Sequence, residues 1–223
     1  MHSVIDILQN LGEALRIPTS FVVIEFIGTM AFAVSGIRLA SSKKFDLFGA
    51  YIVGMATAIG GGTIRDLMLG LSPFWMTNTI YFSCCAFALL WVILFGKYLI
   101  RQKNTWFIFD TIGLALFNVI GLEKTLGMGL PGWTAITMGC ITGAAGGVIR
   151  DVLINEVPLI FRKEIYALAC IGGGVAYILC RRAGMSVEIN ALISSFVVIL
   201  IRVLAVKFQW HLPILKGEED VQQ

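Results

Sequence analysis

Residues 60–66 read GGGTIRD and residues 145–151 read AGGVIRD, 85 positions further along the chain. The same offset governs most of the sequence. Sliding residues 25–95 onto 110–180 without a gap pairs Gly28 with Gly113, Phe32 with Phe117, Gly36 with Gly121, and Gly54 with Gly139. Thr57 falls on Thr142, Pro73 on Pro158 and Tyr81 on Tyr166. Each copy holds three apolar segments long enough to cross a bilayer, which takes roughly 20 residues. Three is odd, so the second copy enters the membrane from the opposite side. Such inverted repeats usually hold a solute path between the copies.

Composition agrees. Hydrophobic residues make up 57% of the 223-residue chain and charged residues 14%, with a mean hydropathy of +0.85. A soluble domain carries about a quarter charged residues. The expected fold is therefore an all-α polytopic membrane protein with little chain left for a soluble domain. The net charge of +3 reflects Lys and Arg placed beside the membrane and does not suggest nucleic acid. Cys84, Cys85, Cys140, Cys170 and Cys180 fall in apolar runs without metal-ligand spacing, and read as small hydrophobes.

Apolar runs between charges place seven spans at approximately 21–40, 47–69, 78–100, 106–124, 133–154, 164–182 and 188–207. Repeat 1 is about 21–100, repeat 2 about 106–182, and the seventh helix is appended. Residues 1–20 form an amino-terminal segment in which Val4, Ile5, Leu8, Leu11 and Leu15 share a helical face before Pro18; a short interfacial helix and a frayed terminus both fit. No signal peptide is expected there. Basic residues gather in alternate loops, at Arg38, Lys43 and Lys44, at Lys97, Arg101 and Lys103, at Arg162 and Lys163, and at Lys207 and Lys216. The positive-inside rule then puts the amino terminus outside and the tail 208–223 in the cytoplasm.

Both glycine motifs lie in the second span of their repeat. A continuous helix through Gly60-Gly61-Gly62 is weak, because each interior glycine costs about 1 kcal/mol relative to alanine. A break at membrane depth is tolerated only where protein or water satisfies the freed backbone. Spans 2 and 5 are thus expected to kink or break at Gly60, Gly61, Gly62, Gly146 and Gly147 and to line an aqueous path. Gly28, Gly36, Gly54, Gly113, Gly121 and Gly139 read instead as close-packing residues.

Arg65-Asp66 and Arg150-Asp151 follow the glycines. Charges at this depth face a cavity or one another, unless they snorkel to the surface as anchors. The arginines are expected to cap carbonyls at the kinks or to bridge to a carboxylate of the opposite repeat. Glu25 and Asp110 are symmetry mates near the starts of spans 1 and 4, where a carboxylate concentrates cations at a pore mouth; a plain interfacial acid is the alternative. Thr57 and Thr142 offer hydroxyls one turn before each glycine motif, or bond back to their own helices. No catalytic constellation, cofactor motif or tightly bound metal site is evident, so an enzyme is not expected.

Together these residues resemble the prokaryotic branch of the trimeric intracellular cation (TRIC) channel family, often labelled a glycine transporter-like domain. The resemblance covers about residues 21–207. It implies a homotrimer in the membrane lipid, each subunit with its own hourglass pore between spans 1, 2, 4 and 5. It also implies permeant monovalent cations, K+ with Na+, near the kinks of spans 2 and 5, at Gly60-Gly61-Gly62 with Arg65-Asp66 and at Gly146-Gly147 with Arg150-Asp151. Ala145 departs from the pattern where the first copy has Gly60. Arg162-Lys163-Glu164 is the nearest basic cluster to the lipid-contacting motif of animal members, and lipid binding is not carried onto it. A cation channel in a bacterial or archaeal inner membrane is the leading expectation. A secondary transporter of a small zwitterion such as glycine is the alternative.

Overall fold

The structure is a computed structural model that describes residues 19–101, 105–162, 165–210 and 212. Seven α-helices occupy those residues: α1 (Thr19–Ser42), α2 (Leu47–Met68), α3 (Ile80–Arg101), α4 (Thr105–Gly127), α5 (Gly132–Leu153), α6 (Ala167–Arg182) and α7 (Val187–Lys207). They match the seven expected spans within a few residues. The interfacial helix considered for Val4–Leu15 and the tail beyond Leu212 lie outside the described residues.

The repeat is visible in the backbone itself. The offset of 85 carries α2 onto α5 end to end, and carries the short 3-10 turn Phe74–Met76 onto Leu159–Phe161. Left-handed residues recur too: Lys44 (φ 60°) pairs with Gly129 (φ 76°), and Gly70 (φ 69°) with Asn155 (φ 55°). Gly70 and Asn155 follow the ends of α2 and α5, where such a residue lets the chain turn back on the last carbonyls. The closing bonds are alike, Leu71 N–H to Asp66 O and Glu156 N–H to Asp151 O, both 2.8 Å. The two copies thus fold by the same local rules.

Helices α1, α2, α4 and α5 pack against one another as the centre of the bundle, with α3 against α1 and α2, and with α6 and α7 against α5 and α4 respectively. Symmetry mates meet at that centre. The Phe32 and Phe117 rings stack with centroids 5.4 Å apart and planes 8° from parallel. Gly113 makes room for Phe32, and Gly28 lies against Phe117. Helices α1, α2, α4, α5 and α7 are long and apolar enough to cross a membrane, and α3 has a shorter apolar stretch at Ile80–Gly96. At 16 residues α6 reaches about 24 Å, short of a hydrocarbon core of about 30 Å.

The expected kink or break does not interrupt either helix. α2 and α5 stay helical through Gly60-Gly61-Gly62 and Gly146-Gly147. The reason is packing. A Cβ on Gly61 would come within 3 Å of the Thr142 carbonyl oxygen, and one on Gly146 within 3 Å of the Thr57 carbonyl oxygen. The two backbones therefore touch where α2 crosses α5, and only glycine fits. Gly60 accommodates the Ile149 side chain, Gly62 the Phe74 ring and Gly147 the Tyr166 hydroxyl. Gly36 and Gly121 make the equivalent approaches to Thr57 and Thr142, and Gly54 and Gly139 to Ile37 and Asn118. All of these glycines supply small size at helix contacts.

Candidate functional site

Two charged clusters sit at opposite ends of the α2–α5 crossing, built from equivalent positions in the two copies. The first uses the start of α1, the ends of α2 and α4, and the start of α3. Asp66 Oδ1 accepts from Arg65 Nε at 2.8 Å and from Lys124 Nζ at 2.9 Å, while Asp66 Oδ2 accepts the Phe74 backbone N–H at 2.9 Å. Tyr81 donates its hydroxyl to Glu25 Oε2 at 3.0 Å, and the Arg65 guanidinium lies 5.6 Å from the Phe74 ring centre. Arg65 Nη1 and Nη2 are buried with no hydrogen-bond partner among the described residues.

The second cluster repeats the plan with different cations. Arg150 Nε donates to Asp151 Oδ1 at 2.9 Å, and Asp151 Oδ2 accepts the Leu159 backbone N–H at 3.0 Å. Arg150 Nη1 donates to Asp110 Oδ1 and, at 2.9 Å, to Ser35 Oγ on α1. Tyr166, the mate of Tyr81, lies 3.5 Å from Asp110 Oδ1. Arg202 comes from α7 to within 3.9 Å of Asp110 Oδ2, its guanidinium 4.8 Å from the Phe107 and Tyr166 ring centres.

Neither arginine is a surface anchor. Arg65, Asp66, Asp110, Arg150 and Arg202 are fully buried, and Glu25, Lys124 and Asp151 nearly so. Burying ions costs several kcal/mol each unless they are paired, and each cluster answers with two carboxylates against two cations. That balance corrects two expectations. Glu25 and Asp110 are not open carboxylates at pore mouths: one is held by Tyr81 within electrostatic reach of Arg65 and Lys124, the other by Arg150 and Arg202. The arginines also find carboxylates within their own repeat. Between the repeats, Lys124 of the second makes a buried ion pair with Asp66 of the first, and Lys43 of the first makes an exposed one with Glu156 of the second. Thr57 and Thr142 bond back to Val53 O and Met138 O, both at 2.6 Å, and are buried against Gly36 and Gly121.

Sequence reading missed Lys124, Arg202, Ser35 and the two tyrosines as partners. Arg202 carried a usable signal, a charge inside an apolar span. It has no symmetry mate, so comparing the repeats passed over it. The five cysteines are free thiols, and no group of metal-binding side chains is present among the described residues.

A family model described as "Glycine transporter" matches twice, over residues 22–97 and 107–182, once per repeat. A solved TRIC channel orthologue from Rhodobacter sphaeroides has a TM-score of 0.81 at 32% identity, covering 86% of this chain and all of that one. The chain belongs to the prokaryotic TRIC channel family. A prokaryotic TRIC channel crystallised in 0.5 M KCl is similar too, with a TM-score of 0.79 and 30% identity over 86% of this chain and 98% of that one. A Vibrio cholerae membrane protein is 43% identical over 85% of this chain and 79% of its own length. An Escherichia coli inner membrane protein is 37% identical over 88% of this chain and 97% of its own length. At 14% identity, a trimeric intracellular cation channel from C. elegans shares the fold alone, with a TM-score of 0.56. The TRIC fold, with two copies of one domain, thus accounts for the paired clusters.

Proposed function

We propose that this TRIC-family chain is a passive channel for monovalent cations, K+ with Na+, in a bacterial or archaeal inner membrane. Its path runs between the repeats of each subunit of a homotrimer, with the amino terminus outside and the carboxyl terminus cytoplasmic. The observation that carries this reading is the pair of buried clusters flanking a crossing where only glycine fits. A purely structural bundle has no need to bury eight charged side chains, six of them at symmetry-related positions. The solved relatives, named as cation channels, support the same reading.

In this account the conformation described is a closed one. The Gly61–Thr142 and Gly146–Thr57 contacts shut the centre, and the clusters shut the ends. Opening bends or slides α2 against α5 and frees Asp66 and Asp110 from their cations, so that carboxylate oxygens and helix carbonyls replace part of an ion's hydration shell. Single-channel recording on Gly61→Ala and Gly146→Ala tests the gate. Unchanged open probability and conductance in both would remove α2 and α5 from it.

A second reading, glycine transport, draws on the family description and on Nη1 and Nη2 of Arg65, which have no hydrogen-bond partner among the described residues and suit a carboxylate. Saturable glycine uptake without unitary current would establish it in place of conduction.

A further inference from the structure

Where α1 gives way to α2, a cavity of about 300 Å3 opens between α1, α2 and α3, and none of the charged-cluster residues lines it. Arg38 and Asp46 stand on its wall, with Leu89, Val92 and Gly96. Arg38 is unlike the paired arginines of the clusters: its Nε is buried, and its guanidinium makes no hydrogen bond or ion pair among the described residues. Asp46 caps α2, its Oδ1 accepting the Gly49 N–H at 2.7 Å, and makes no ion pair among the described residues. Leu89, Val92 and Gly96 follow one face of α3, an apolar trough about 10 Å long at 1.5 Å per residue.

One cation and one carboxylate above an apolar trough match the chemistry of a zwitterionic phospholipid whose amine carries N–H donors. We propose that this cavity is a phosphatidylethanolamine site. The guanidinium of Arg38 takes the phosphate in its planar fork, the primary ammonium donates to Asp46, and an acyl chain lies along Leu89, Val92 and Gly96. Phosphatidylcholine brings a quaternary ammonium with no N–H to donate. Phosphatidylglycerol satisfies Arg38 but gives Asp46 no cation. The site is independent of conduction.

Native mass spectrometry of the full-length protein, with phosphatidylethanolamine, phosphatidylcholine and phosphatidylglycerol of identical acyl chains, tests it. The expected result is selective retention of phosphatidylethanolamine. Arg38→Gln should weaken that retention about tenfold, the loss of one charge-assisted hydrogen bond. Asp46→Asn keeps a good helix cap and should erase the preference over phosphatidylglycerol. Gly96→Leu fills the trough from a position where a Cβ meets nothing within 4 Å, and should abolish retention while the thermal melting temperature holds. Equal retention of the three lipids, a preference for phosphatidylglycerol, or wild-type retention in Gly96→Leu would each overturn the proposal. Should Arg38→Gln not fold, Gly96→Leu decides.

Discussion

Lys124 Nζ lies 2.9 Å from Asp66 Oδ1, joining the end of α4 in the second repeat to the charged motif of the first. The equivalent position in the first repeat is Leu39, so the lysine has no mate, and α7 supplies the fourth cation of the other cluster through Arg202. The pseudo-twofold plan is thereby completed by two residues that do not obey it.

If Lys124 neutralises Asp66 in the closed state, Lys124→Gln should increase K+ flux at zero voltage. Removing one partner of a buried pair costs about 3–5 kcal/mol, and that loss falls on the conformation in which the pair is made. Fluorescence-monitored K+ flux in liposomes, at matched protein incorporation, checks the direction.

The glycine crossing predicts a sharp contrast in stability. Gly61→Ala drives a methyl into the Thr142 carbonyl and should cost about 1–3 kcal/mol through overpacking. Gly96→Ala meets nothing within 4 Å and should stabilise by up to about 1 kcal/mol from helix propensity alone. Thermal melting in one detergent compares the two.

Arg150→Met takes from Asp110 and Asp151 their shared cation, leaving Asp110 only Arg202 at 3.9 Å, and should destabilise by about 3–5 kcal/mol. Adding Asp110→Asn to it should cost far less than the sum of the single substitutions. A double-mutant cycle on melting temperature reads that coupling.

The tyrosines should differ despite their symmetry. Tyr81 donates to Glu25 at 3.0 Å, whereas Tyr166 stands 3.5 Å from Asp110. Tyr81→Phe should therefore cost about 1.5–3 kcal/mol, as for a hydrogen bond to a charged group, and Tyr166→Phe clearly less. Paired melting curves decide the order.

How far the sequence could be read follows from what each residue type reveals. Span positions were legible because they depend on runs of apolar side chains against bilayer thickness, which needs no tertiary knowledge. The repeat was legible because GGGTIRD and AGGVIRD recur at fixed offset, and the paired left-handed residues Gly70 and Asn155 show that the backbone obeys it. The glycines were ambiguous because glycine permits both a broken helix and a close crossing. Only the partner surface, here the carbonyls of Thr57 and Thr142, tells the two apart. Lys124 was hidden by position: at the edge of an apolar run a lysine reads as a loop charge until α2 is placed beside it.

The measurement that tests the central claim most directly is K+ movement through the purified protein in liposomes under an imposed gradient, paired with planar-bilayer recording. The account predicts K+ flux that does not saturate with concentration and discrete unitary currents, both altered by Gly61→Ala and Gly146→Ala. Liposomes that hold their K+ gradient, or flux of glycine alone with no unitary current, would contradict it.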